Sequence, residues 1–176
     1  MSELYDRIVS QRGSLERLIM KIPGFQGYMD NKARRTADRM VREHVAGELS
    51  RRISRLVEIE KLLLEQGGLS SMSYTLSVKT KLQTFRDRVN AAAPGYSGAL
   101  AEIKIGPEEM ERLYSFDEAL VRYVDQFDEA LNKLAQAVND KKGIEEALDS
   151  LDKLTIEAND ALSLRDDVLT NLTKTV

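Results

Sequence analysis

The chain has 176 residues, 42% of them hydrophobic and 31% charged, with three prolines, one histidine and no cysteine. Lack of cysteine excludes disulfide frameworks, thiolate metal sites and thiol chemistry, and the length suits one domain, expected to span residues 1–176, that buries roughly 70% of its unfolded surface. The net charge of −3 conceals a division: residues 1–92 hold 17 Lys/Arg against 11 Asp/Glu, and residues 93–176 hold 9 against 18. Such a split reads either as a basic surface for an anionic partner or, the preferred reading here, as two halves of one bundle that attract each other.

In chain order, Leu4, Ile8, Leu15, Leu18, Ile19 and Ile22 recur at helical spacing, which predicts a first helix over about residues 3–21. Pro23 and Gly24 end it. A longer stripe, Ala33, Ala37, Val41, Val45, Leu49, Ile53, Leu56 and Leu63, predicts a second helix over about residues 28–66, close to 60 Å at about 1.5 Å per residue. Gly67-Gly68 stops it, and Ser70 or Ser71 caps a third helix with its stripe at Met72, Leu76, Leu82, Phe85 and Val89.

Beyond Pro94, Ile103 and Ile105 alternate as in an extended strand. Pro107, followed by Glu108, Glu109 and Glu111, then opens a fourth helix, since proline suits the first helical position and acids suit the positive end of the dipole. Its stripe is Met110, Leu113, Leu120, Val124, Phe127, Leu131, Leu134 and Val138. After the turn "NDKKG" at 139–143, the last helix sets Ile144, Leu148, Leu151, Ala158, Leu162, Leu169 and Leu172 on a seven-residue repeat, interrupted at Thr155 and Arg165. The fold class expected is all-α: an elongated antiparallel up-and-down bundle of about five helices with coiled-coil-like seams.

Two segments share one punctuation, "PGFQG" at 23–27 and "PGYSG" at 94–98. In an up-and-down bundle both turns fall at the same end, each using Pro to stop a helix, Gly to turn the chain, and Phe25 or Tyr96 to plug the core. Close by runs "NKARRTADRMVREH", in which Asp38 lies beside the apolar stripe with Arg34 and Arg42 one turn away. Asp117 takes a seam position between Leu113 and Leu120. Arg34, Asp38, Arg42 and Asp117 are therefore expected to form structural ion pairs, each acid buried against an arginine of the second helix. Phe25, Tyr28, Arg34, Arg35, Arg39 and Tyr96 are expected to form an exposed binding patch for an anionic group.

Reactive motifs are scarce. His44 and Glu48 supply two ligands, too few for a metal site; no serine or threonine can be assigned a histidine base; no phosphate-binding glycine loop occurs. No cofactor is expected. The N-terminal "MSELYDRIVSQRG" has no signal-peptide core and no window holds the ~20 apolar residues of a membrane span, so a cytoplasmic location is expected.

The stretch "PGFQGYMDNKARRTADRMVREHVAGEL" resembles the opening signature of an uncharacterised family of bacterial cytosolic helical proteins: Pro-Gly-aromatic-x-Gly-Tyr, then Arg-Arg-x-x-Asp, then Arg-Glu. "GYSGALAEIKIGPEEMERLYSFDEAL" is similar to its second signature, a Gly-Tyr-x-Gly turn followed by Leu-Tyr-x-Phe-Asp. Together they cover about a third of the chain. The resemblance implies a cytosolic helical protein and brings no activity, cofactor or catalytic residue. The function expected is non-enzymatic protein–protein interaction or scaffolding, the partner being another protein, with a homodimer as a possibility. The alternative is peripheral binding of an anionic membrane surface through the Arg-rich second helix, nucleic acid being disfavoured by a pI of about 5.4.

Overall fold

The computed structural model describes residues 2–91 and 105–174, and these contain six helices and no strand. They are α1 (Glu3–Val9), α2 (Ser14–Lys21), α3 (Arg34–Glu65), α4 (Met72–Asn90), α5 (Pro107–Asp140) and α6 (Ile144–Lys174), with a 3-10 turn at Leu69–Ser71. Helices of 32, 34 and 31 residues in α3, α5 and α6 are each about 45–50 Å long, so the all-α elongated bundle is the observed fold. None of the described helices is long and apolar enough to cross a membrane.

The expected first helix is two. Gly13 adopts φ 70° at the start of α2 and breaks the register between them. The break changes which residues face inward: Ile8, Leu18 and Ile22 are buried, while Ile19, in phase with a continuous helix, is 48% exposed. The second expected helix begins six residues late, at Arg34. Tyr28 cannot start it because its N–H donates to the Tyr114 hydroxyl oxygen and its carbonyl accepts from Arg34, while the Asp30 carboxylate caps the Lys32 N–H in a local turn. The alternation expected at Ile103 falls outside the described residues; Ile105 is non-helical and half-buried.

The remaining stripes are mostly as expected. In α4 the buried face is Thr75, Val78, Leu82, Phe85 and Val89, and Leu76, assigned to the stripe by sequence, is exposed. In α6 both apparent interruptions of the heptad, Thr155 and Arg165, are buried with the rest of the seam. Two turns close by the same geometry: Gly67 after α3 at φ 81° and Lys141 after α5 at φ 52°, each followed by a residue whose N–H reaches back to the carbonyl of Leu63 or Ala137.

Helix direction alternates along the chain from α3 to α6. Sideways, α3 packs on α4 and α5, and α6 packs on α5 and α4, so hairpin α3–α4 lies against hairpin α5–α6. Ion pairs bridge the two: Arg55 with Asp128, Lys81 with Asp152, and Arg52 with Asp128. Helices α1 and α2 then cover the outer face of α5, with Arg17–Glu118 and Lys21–Asp125 joining α2 to α5 and Arg7–Glu157 joining α1 to α6. The opposite charges of the two sequence halves thus face each other within the molecule. With neighbours all round, α5 is buried at every position from Leu113 to Val121, the property of a core helix rather than an amphipathic one.

Phe85 of α4 and Phe127 of α5 meet in the core with ring centroids 6.1 Å apart. Both are fully buried. Phe127→Ala is expected to cost about 3–5 kcal/mol, read by urea denaturation as a lower midpoint at unchanged slope.

Candidate functional site

At one level of the bundle, three helices contribute charged side chains to the buried interior. Arg165 of α6 donates from Nε to Asp117 Oδ1 at 2.6 Å and from Nη2 to Asp38 Oδ1 at 2.8 Å. Asp38, on α3, also accepts from Arg42 Nε at 2.7 Å, and Arg42 Nη1 donates to the Asn90 carbonyl that ends α4 at 3.1 Å. The second oxygen of Asp117 accepts from the Tyr28 hydroxyl at 2.5 Å. Asp38, Asp117 and Arg165 are each 2% exposed or less. Burial pushes the Asp117 carboxyl up from the usual carboxylate range, opposed by the Arg165 guanidinium and the Tyr28 hydroxyl, both of which favour its ionised form.

Tyr28 joins this cluster to the segment 22–33, which crosses the bundle end between α2 and α3. The Tyr28 backbone N–H reaches across to the Tyr114 hydroxyl oxygen of α5 at 2.8 Å, the two rings stack at 5.5 Å, and Phe25 meets Tyr28 edge-on at 5.8 Å. Gly27, at φ 84°, makes the approach possible: a Cβ there would lie 2.5 Å from Tyr114 Oη. Arg34 Nε closes the set by donating to the Tyr28 carbonyl at 2.8 Å.

Several expected placements are corrected. Phe25, Tyr28 and Arg34 are at most 4% exposed, so they do not belong to an exposed patch. The aromatic rings fill the bundle end, and the guanidinium donates to the Tyr28 carbonyl, which lies outside the helices. Arg35 and Arg39 are exposed, with Arg39 3.9 Å from Glu43. Tyr96, and with it the expected meeting of the two Pro-Gly turns, lies outside the described residues. Asp38 pairs with Arg42 as expected, but Arg34 turns to Tyr28 instead. Asp117 takes its arginine from α6 and not from the second helix, because Arg165 is the cation whose helix faces it across the core.

The residues that sequence reasoning missed are Arg165 and Tyr114. Arg165 had a signal, since a cation breaking an apolar heptad needs an acid opposite it, and Asp117 breaks the stripe of the neighbouring helix in the same way. Tyr114 had none, because its role is to accept from a backbone that only the tertiary fold brings near. Beside the cluster, a cavity of about 10 Å³ lined by Arg42, Arg88, Arg165 and Asp166 has room for a single water. The interior charges saturate one another, and what such an arrangement does is hold helices and segment 22–33 in one register.

No family model, curated protein or solved structure matches the chain.

Replacing Arg165 with Met leaves Asp117 buried without its cation. The expected loss is about 3–5 kcal/mol in urea unfolding, and a loss below about 1 kcal/mol would show the pair to be solvated. A second measurement uses His44, half-buried on α3 beside Lys21, whose pKa is lowered by burial. Its C2 proton is expected to titrate below about 6.5 by NMR. Because the fold disfavours the charged imidazole, its contribution to stability is complete above the unfolded value and is lost as pH falls toward the folded one.

Proposed function

We propose that this chain is a non-enzymatic interaction protein that binds an acidic protein surface at the outer face of segment 22–33 and the start of α3. Met29 and Met20 serve as apolar contacts, and Lys32, Arg35 and Arg39 as cationic ones. One observation carries the reading: Tyr28 is fully buried while Met29, the next residue, is 76% exposed. The backbone that the buried cluster fixes therefore projects a large apolar side chain outward, beside a basic run. A contact surface held in place before binding loses less conformational entropy on association, methionine adapts to varied partners, and guanidinium groups recognise carboxylates in defined geometry.

The anchors are thus different from those expected of the same bundle end, where Phe25, Tyr28, Arg34 and Tyr96 stood beside Arg35 and Arg39. Several cations of the basic first half are engaged by acids of the second, as in Lys21–Asp125 and Lys81–Asp152. That favours a protein touched locally over an extended anionic membrane.

A photo-crosslinking residue at position 29 is expected to capture a partner protein in cells, with the yield falling at least about tenfold, a loss of roughly 1.4 kcal/mol, in Arg35→Glu/Arg39→Glu at unchanged circular dichroism. Equal capture from position 29 and from Ile156, exposed on the far helix α6, would reject the proposed surface.

A further inference from the structure

We propose that segment 22–33 is a latched strap, opening as one unit while α3–α6 stay folded, with Tyr28 as the latch and the closed strap as the state that binds a partner. Its regulatory use rests on the interaction surface proposed above; the latch itself rests on geometry. The strap has no helix or strand to hold it. Its backbone hydrogen bonds to itself are local, from Phe25 to Ile22 and from Ala33 to Asp30.

Ile22 and Phe25 are buried against the bundle, and the polar ties of the strap converge on one residue. The Tyr28 N–H meets Tyr114, its carbonyl meets Arg34, and its hydroxyl meets Asp117. Three polar groups of one side chain and its backbone are thus engaged by three different side chains. Just before it stand Gly24 at φ 79° and Gly27 at φ 84°, the two positions where the chain turns in a conformation that other residues resist. The core that Ile22, Phe25 and Tyr28 join continues between the helices beyond the strap, through Leu49, Leu56, Phe127 and Leu131. A segment with few backbone hydrogen bonds, whose polar ties converge on one residue, is suited to open below the global unfolding free energy.

Tyr28→Phe tests this, because phenylalanine keeps the stacked ring and removes only the bond to Asp117. In hydrogen exchange of the intact chain, peptides spanning residues 22–33 are expected to exchange about tenfold to a hundredfold faster, the range for losing a hydrogen bond to a charged group. Peptides from α4 and α6 are expected to be unchanged. Tyr114→Phe, which removes the acceptor at the Tyr28 N–H, is expected to accelerate the same segment by a smaller factor.

Acceleration of all helices alike would overturn the latch, making Tyr28 an ordinary core residue. Unchanged exchange in residues 22–33 would overturn it as well. If the strap opens as expected while position 29 of the unmodified chain captures no partner, the latch stands and the interaction reading fails.

Discussion

A single guanidinium, that of Arg165, bridges two carboxylates from two other helices in the buried interior. Ions in such a place are costly, and their mutual attraction offsets the lost hydration only when geometry is good and the remaining lone pairs are filled. Here they are filled: Arg42 takes the second oxygen of Asp38, and Tyr28 takes the second oxygen of Asp117. A shift of one helix by a turn would strand a charge in the core. An apolar seam tolerates such slips far better, so the cluster supplies a register that Leu and Val stripes alone leave loose.

The same constraint reaches the surface. Because Asp117 needs a donor for its second oxygen, the chain between α2 and α3 must bring Tyr28 inside, and helix α3 must start late enough to leave room. Gly27 lets Tyr114 approach, and Arg34 occupies the carbonyl left over. The exposed Met29 and the basic residues after it are presented by this arrangement. Interior electrostatics and the candidate contact surface are consequences of one folded segment.

The division of charge between the sequence halves has a corresponding explanation. Hairpin α3–α4 lies on hairpin α5–α6, and α1–α2 lie along α5, so the largely basic elements border the largely acidic ones. Exposed pairs such as Lys21–Asp125 contribute little individually. As a set they favour this docking of the halves over its alternatives. The exception is the buried cluster, where the acidic half provides the bridging cation, Arg165, and the basic half provides one of the acids, Asp38.

Periodicity alone determined the all-α class, the long helices, their turns at Gly67-Gly68 and 139–143, and most of the core, because a 3.6-residue repeat buries a stripe whatever it packs against. It also singled out Asp38, Asp117 and Arg165 as polar residues in apolar positions. Only tertiary structure decided which of them pair, since Asp117 and Arg165 meet through the packing of α5 on α6 across a long stretch of chain. Likewise, a helical stripe continues through Ser10–Gly13 and through residues 28–33 on paper. In the fold, a positive φ at Gly13 and side-chain claims on the Tyr28 backbone interrupt it, and that interruption turns Phe25, Tyr28 and Arg34 from expected surface contacts into the interior that holds the surface in place.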